Sequence, residues 1–421
     1  MTTQATDAPG TVPRPVPTRH REAEARGRRL GRALRAIARV EEVDEDLMDR
    51  LGRGFTERDE LGARLADAMR MRAGAPGRVT HPALAAALAA PQYVPVDAPE
   101  ALREYVGALT QVPDWVNWDL VEAGGDVLRR LGQNAADVLL QLSLVGGYRF
   151  GGPTDLLVAT GGLTGDMTVR RLAETQAWAT AIAEPGALRP GGEGWRLTLH
   201  VRAMHALVNA GFEPRWDAAR WGLPINQTDQ AATLGLFDGV PLLGCRALGV
   251  PITRAESRAW IHLFRYTGWL MGVHEDFLVA TERERHRLNY HVLLAQADLS
   301  PAGPALAQAV VEAQSARRYP RFQRVRSVWE RERLLSMLTV FLGRASMREL
   351  GLPARPPWAH AYVVPLNLVR YHLLGRLPGG RARLERWGSR VSAGILDSYY
   401  GSLPHAEGAL PTDSGTRPNA A

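Results

Sequence analysis

Apolar side chains recur at helical spacing along most of this chain. From about Arg21 to Tyr400 they return every three or four residues, the period of one face of an α-helix. Stretches that alternate apolar and polar residues, which would indicate half-buried strands, are scarce. The pattern predicts an all-α protein with a single large helical domain over residues 21–402. Residues 1–20 and 403–421 are rich in proline or in small polar residues, and we predict disordered tails there.

Three local signals support particular helices. Pro99 stands where it could open a helix, and in GLPINQTDQAATL a proline turn is followed by Asn226, a good N-cap, with Asp229 three residues later. Further on, WIHLFRYTGWLMGVHEDF places Trp260 and Phe264 on one apolar side of a helix. The last two signals place helices in the middle third of the chain.

The helix in LHVRAMHALVNAGF contains two histidines in different positions. His205 shares an apolar face with Leu197, Val201 and Met204, whereas His200 lies five residues earlier, about 140° around the helix. The two histidines therefore cannot chelate one metal as an i, i+4 pair, and the HExxH zinc pattern is absent. We expect His200 to point away from the apolar face. His205 is either an ordinary core residue or a single axial ligand to iron.

The polar neighbours of these helices leave alternatives open. Arg202, one turn before His205, is suited to pairing with a carboxylate or to a surface ion pair. In MTVRRLAETQAWATAIAE, Arg171 and Thr175 share a face with Glu174 beside them, which also fits a helix edge with an internal Arg–Glu pair.

Composition narrows the class of protein. The net charge is +7, but all 51 basic residues are arginines interleaved with glutamates, as on solvated helix faces, so no nucleic-acid partner is expected. The single cysteine, Cys245, excludes an intramolecular disulfide, a cluster held by several cysteines and covalent haem attachment through Cys-x-x-Cys-His. Without lysine there is no GxxxxGK phosphate loop. We expect Cys245 to be a small buried apolar residue.

No targeting segment is evident in the sequence. The twin arginine Arg28 and Arg29 is followed by further charges instead of an apolar region, so we predict a cytoplasmic protein. No apolar run is long enough to span a membrane. The longest candidate, residues 358–375, is interrupted by Pro365 and Arg370, and could rest on a membrane or line an apolar cavity.

Taken together, the motifs resemble a known family, the haem-b oxygenases that include latex-clearing protein and the mycophenolic-acid-pathway oxygenase. The similarity covers residues 111–278 well, the C-terminal helices loosely, and the first 110 residues not at all. The matching motifs are VPDWVNWD, VGGYRFGGPTDLLVATGGL, RRLAET, HVRAMHALV, WGLPINQTDQAATL and RYTGWLMGVHEDFL. The resemblance implies an all-α fold with a pocket for non-covalent haem b between central helices, and O2 as a co-substrate.

Site residues follow from the resemblance position by position. His205 matches the proximal iron ligand, Arg202 the arginine three residues before it, and Arg171 and Thr175 the arginine and threonine of the distal helix. Glu174 stands where the rubber-cleaving members have a lysine. Asp155 falls near their distal glutamate.

Two further departures bear on the reaction. Asn209 stands where the family often has arginine, and no lysine elsewhere in this chain can replace the one that Glu174 displaces. The fold and the haem site are therefore expected to transfer, whereas rubber cleavage is not.

The expectation is a cytoplasmic haem-dependent oxygenase that acts on an apolar small molecule, terpenoid-like or polyketide-like. Glu174 or Asp155 would move protons, and an electron donor is a candidate partner. A haem- or lipid-binding protein without turnover and a cofactor-free helical scaffold are the two alternatives. The oligomeric state stays open.

Overall fold

The structure is a computed structural model that describes residues 15–161 and 166–400. Every regular element in these residues is helical, and no strand occurs among them, which confirms the predicted all-α class. The helices are α1 (Glu24–Leu30), α2 (Arg32–Ala38), α3 (Glu45–Gly54), α4 (Glu60–Met69), α5 (His81–Ala89), α6 (Glu100–Thr110), α7 (Trp118–Leu131), α8 (Gln133–Val138), α9 (Pro153–Ala159), α10 (Asp166–Ala181), α11 (Glu193–Phe212), α12 (Ala218–Trp221), α13 (Gln227–Ala247), α14 (Arg254–Leu270), α15 (Glu282–Ala295), α16 (Ala302–Ala316), α17 (Gln323–Glu349), α18 (Trp358–Asn367) and α19 (Gly380–Tyr400).

Side-chain caps fix the start of several helices. The Asn226 side chain accepts a hydrogen bond from the backbone N–H of Asp229, so α13 begins where the sequence predicted. Thr253 and Thr281 form capping boxes with glutamates three residues later, at the starts of α14 and α15. The caps satisfy N–H groups that the first turn of a helix leaves without partners.

The helices α7 and α14 pack closely at the centre of the main core. A Cβ atom on Gly124 would lie 2.6 Å from the backbone oxygen of Ala259 and 2.7 Å from Cβ of Leu263, so only glycine allows this approach. On α14, Trp260 and Phe264 are buried as predicted, and the indole of Trp260 donates a hydrogen bond to the backbone oxygen of Asp238. This pair of helices is the rigid support behind the site.

Two π-helical segments interrupt the α-helices. Leu139–Val145 continues α8 and Leu368–Leu373 continues α18. A π-turn changes the angular spacing of side chains, and such turns are frequent at functional sites. The first segment supplies Leu140, Leu142 and Leu144 to a cavity wall.

The ordered chain begins earlier than the predicted boundary at residue 21. Arg19 is fully buried, stacks 4.1 Å above the Phe55 ring and forms an ion pair with Asp229 on α13. Residues 15–20 are thus part of the fold, because a long-range ion pair and a ring contact hold them. The remaining predicted tails, residues 1–14 and 403–421, lie outside the described residues.

Cys245 is completely buried on α13, as predicted for a small apolar residue. Burial raises the pKa of its thiol well above the usual range, so the side chain stays a neutral thiol. It has no role at the site described next.

Candidate functional site

A cavity of about 1190 Å³ runs through the middle of the protein. It lies between α10, α11 and α13, with the first π-helical segment as a further wall. Its walls are mainly apolar and include Leu142, Leu172, Trp178, Val201, Met204, Leu234, Phe237 and Phe264. A space of this size and character suits an apolar ligand with a few polar groups around it.

The helix α11 presents one face to the cavity and the other to the core. Val201, Met204 and His205 line the cavity, as the apolar periodicity suggested, but they are only partly buried. The side that packs into the core carries Trp195 and Leu199, both fully buried. The apolar face predicted from sequence is therefore a cavity wall. The sequence could not show this, because α11 has apolar residues on two sides and periodicity does not tell which side packs against other helices.

His205 lies in the wall between two spaces. Its ring borders the large cavity and also a small one of about 20 Å³ whose lining includes Asp59, Arg202 and Asn209. The ring atom Nδ1 is buried and has no hydrogen-bond partner among the described residues. Burial, assisted by the positive charge of Arg171, lowers the pKa of His205 to about 4. The imidazole is therefore neutral at pH 7, the form that binds metal ions.

His200 also lines the large cavity, although it lies about 140° around α11 from His205. We expected it to point away from the apolar face. The cavity is wide enough to meet a broad arc of α11, so two residues separated by five positions both reach it.

Arg202 is engaged by a carboxylate of the protein itself. Its Nε and Nη2 atoms each donate to Asp59 over 2.6 Å, and Nη1 donates to the backbone oxygen of Leu270 over 3.1 Å. Burial disfavours the charge, but the adjacent Asp59 outweighs it and raises the pKa of Arg202. Three of the five N–H donors of the guanidinium are used in this way, and the predicted role of Arg202 in binding a cofactor carboxylate stays a prediction. Arg202 holds α11 against α4 and the end of α14.

The three residues predicted on α10 all reach the cavity. Arg171, Glu174 and Thr175 belong to its lining, and Glu174 accepts a hydrogen bond from Arg170 over 2.8 Å. The predicted internal Arg–Glu pair therefore exists, but it uses Arg170. Within the described part of the chain Arg171 has no ion-pair partner, which leaves its guanidinium open to the cavity.

Asp155 does not reach the cavity. Its Oδ2 atom accepts hydrogen bonds from the backbone N–H of Gly152 over 2.8 Å and from Oγ1 of Thr154 over 3.2 Å, which makes it part of a capping box at the start of α9. A carboxylate held in this way stabilises a helix end. The predicted role of Asp155 in proton transfer stays a prediction, which this position does not support.

Asp229 is a carboxylate in the cavity lining. The sequence indicated only that it follows the helix cap Asn226. Its Oδ2 atom is bonded by Arg19 and by Nδ2 of Asn226, while Oδ1 is buried without a partner among the described residues. No signal in the sequence joined Arg19 to Asp229, because 210 residues separate them. The turn DQAATL did mark Asp229 as the acidic residue next to an N-cap.

One part of the cavity lining is a polar cluster. Arg333 on α17 forms a buried bidentate ion pair with Asp137, with one contact of 2.8 Å, and Glu330 and Arg317 belong to the same cluster. The pKa of Arg333 is raised well above its usual range, because Asp137 outweighs the cost of burying the charge. The cavity thus combines apolar walls with several polar groups.

A site built from several protein ligands does not occur in the described residues. No group of three or more histidine, cysteine, aspartate or glutamate side chains there could hold a metal ion. His205 could bind iron only as a single protein ligand, with other positions filled by a cofactor such as the four nitrogens of a porphyrin.

Comparisons with known proteins agree with this architecture. Residues 121–376 match the family described as ER-bound oxygenase mpaB/B'/Rubber oxygenase, catalytic domain. The rubber oxygenase of Streptomyces sp. (strain K30) is 22% identical over 234 residues, which are 52% of this chain and 54% of that protein. The chain therefore spans about half the length of this curated relative.

A solved structure of latex clearing protein in the closed state shares the fold. It superposes with a TM-score of 0.62 at 18% identity, over 81% of this chain and 91% of the other. In the described part of this chain, no helix is long and apolar enough to cross a membrane. Because more than half of its 421 residues match one family, the chain belongs to the mpaB and rubber oxygenase catalytic-domain family.

Proposed function

We propose that the protein is a haem-b-dependent oxygenase that acts on an apolar small molecule, with His205 as the axial ligand of the iron. The observation that carries this proposal is the position of His205, a neutral imidazole in the wall of a large apolar cavity. No described residue forms a hydrogen bond with its buried Nδ1 atom.

The residues present fit a haem group. The cavity volume and its apolar walls suit a porphyrin together with a substrate, and Arg171 offers a cation for a propionate. The bound iron would supply the oxygen chemistry, which protein side chains cannot perform. The contribution of this chain is to hold the imidazole, neutralise the propionate and keep water out of an apolar space.

Two carboxylates on the cavity wall are placed to handle protons. Glu174 lies beside Thr175 on α10, and Asp229 projects from α13 with one oxygen unpaired. A carboxylate accepts or donates a proton to a molecule within hydrogen-bond reach. Glu174 replaces the predicted family lysine here, so this chain has an acid–base group where a fixed positive charge would otherwise stand.

The substrate class follows from the walls of the cavity. Leucine, phenylalanine and tryptophan side chains bury apolar surface, and each apolar contact with a ligand adds affinity without a fixed orientation. The characterised relative acts on rubber, as its name states. For this chain we propose a single small apolar molecule, terpenoid-like or polyketide-like, and a cytoplasmic site of action.

The test is the visible spectrum of purified protein and of two alanine variants. His205→Ala is expected to abolish the Soret band, whereas His200→Ala, a matched change on the same helix and in the same cavity, should retain it. Circular dichroism of both variants checks that the fold is intact. Full haem retention by His205→Ala would refute the ligand assignment, and a colourless wild-type protein would favour the helical scaffold.

Oxygen uptake separates an oxygenase from a carrier. The ferrous protein should consume O2 when supplied with apolar substrates, and a protein that only binds haem or lipid should not. Uptake must also disappear in His205→Ala.

A further inference from the structure

The C-terminal third of the protein presents large apolar side chains to solvent. Near the start of α17, Phe322 is 78% exposed, and Val325, Val328 and Trp329 are also exposed. The segment from α18 to Leu377 adds a second set, of which Leu373 is 62% exposed. Surfaces of this kind mark sites of interaction with another molecule.

The two sets form one continuous surface. The ring centroid of Trp329 lies 4.8 Å from that of Trp358 and 6.1 Å from that of Tyr362. From Tyr362 the exposed residues continue through Leu366 and on to Leu373, along one side of α18 and the π-helical segment after it. We call this surface the lipid face, and define it as Phe322, Val325, Val328, Trp329, Trp358, Tyr362, Leu366, Leu368, Val369, Leu373, Leu374 and Leu377.

Charges around the lipid face are mainly positive. From residue 350 to residue 384 the chain contains five arginines and no aspartate or glutamate. Two of the five are paired with glutamates of other segments, Arg355 with Glu332 and Arg381 with Glu256. Exposed arginines also precede and enter α17, namely Arg321, Arg324 and Arg326, so the surroundings of the lipid face favour an anion.

We propose that the lipid face adsorbs onto an anionic membrane surface. Leucine and valine side chains would enter the acyl boundary, tryptophan and tyrosine prefer the headgroup level, and arginines pair with lipid phosphates. A second copy of this chain is a less suitable occupant, because two faces rimmed by arginines would bring like charges together. The described helices adsorb without spanning, since none is long and apolar enough to cross.

The lipid face adjoins residues of α17 that line the large cavity. Glu330 and Leu334, one and five residues after Trp329, are part of the cavity lining. An apolar substrate dissolved in the bilayer would therefore meet the cavity where the protein touches the lipid. This route rests on the proposed function, whereas adsorption to vesicles is measured without haem or turnover.

The test is co-sedimentation of the full chain with vesicles of phosphatidylcholine and phosphatidylglycerol in equal parts. Leu373→Ser combined with Leu374→Ser should weaken vesicle binding about tenfold or more, because the serines would bury much less apolar surface in the membrane than the leucines. The control is Tyr93→Ser combined with Val96→Ser, which removes two large side chains that are more exposed than the leucines, from the segment between α5 and α6. That pair should bind like the wild type.

Charge is tested separately. Arg324→Gln and Arg376→Gln should each lower the affinity about fivefold, and pure phosphatidylcholine vesicles should bind more weakly than the mixture. The proposal is overturned if the full chain does not sediment with anionic vesicles, or if the control pair loses binding as much as the leucine pair. It is equally overturned if the leucine pair instead dissociates a dimer that binds no vesicles. Any of these results leaves the spectrum of the haem variants unaffected.

Discussion

At the scale of single residues, the site depends on which side chains are already occupied by the protein. Arg202 and Asp155 carry the right chemistry for a cofactor site, but Asp59 binds the first and the start of α9 uses the second. Arg171 and Glu174 have the same chemistry and face the cavity. The sequence could name all four, because residue type and helix position are visible in it. A partner distant in the chain, Asp59, engages Arg202, whereas Asp155 is held by its neighbours Gly152 and Thr154.

The ion pair of Asp59 and Arg202 gives a prediction at this scale. Asp59→Ala should lower the free energy of unfolding by about 3–5 kcal/mol, because it leaves a buried guanidinium without its counter-charge. Chemical denaturation followed by circular dichroism measures the effect. Glu104→Ala is the control, since its pair with Arg64 is largely exposed and should cost less than about 1 kcal/mol. Equal costs for the two variants would contradict the structural role given to Asp59.

At the scale of elements, glycine decides how closely helices approach. The periodicity of α7 and α14 predicted both helices, but it carried no information that they pack against each other at Gly124. The same residue type occurs in α6, where a Cβ atom on Gly107 would meet nothing within 4 Å. A glycine in a helix is therefore either required for close packing or lowers helix stability without a structural need. Only the position of the neighbouring helix distinguishes the two cases.

These two glycines provide a matched test. Gly107→Ala should stabilise the protein by about 0.5–1 kcal/mol, since alanine favours the helix more than glycine does. Gly124→Ala should destabilise it by about 1–3 kcal/mol, because the new Cβ atom meets the backbone of α14. Thermal or urea unfolding of both variants measures the sign. A stabilised Gly124→Ala protein would show that α7 and α14 are not packed this closely.

At the scale of the whole molecule, residues 15–20 pack against the fold near a carboxylate that lines the cavity. Composition suggested a disordered tail up to residue 20, because proline-rich, polar stretches bury little apolar surface. Arg19 nevertheless lies in the interior, between the Phe55 ring and the cavity carboxylate Asp229. Contact with residues far along the chain overrides the local composition here.

The burial of Arg19 can be tested by substitution. Arg19→Ala should cost about 3–5 kcal/mol of unfolding free energy, because it removes the partner of the buried Asp229 carboxylate. Arg28→Ala, nine residues later, removes an exposed i, i+4 pair with Glu24 and should cost about 0.5 kcal/mol or less. The comparison uses the midpoint of denaturant unfolding. If Arg19→Ala were as mild as Arg28→Ala, the contacts of Arg19 would not hold residues 15–20 in the fold.

The sequence by itself determined the all-α class, the helix caps at Asn226, the apolar burial of Cys245 and the family, and each of these is confirmed. All of them depend on local patterns or on short motifs, which neighbouring residues specify. The tertiary structure alone decided that α11 faces a cavity, that Asp59 binds Arg202, and that Asp229 lies beside Arg19. The two ion pairs join residues more than a hundred positions apart, and the cavity depends on which helix faces meet. Periodicity carries no information about either. The role of His205 as an iron ligand stays a prediction. It rests on a sequence motif and on the position of the side chain in the cavity wall.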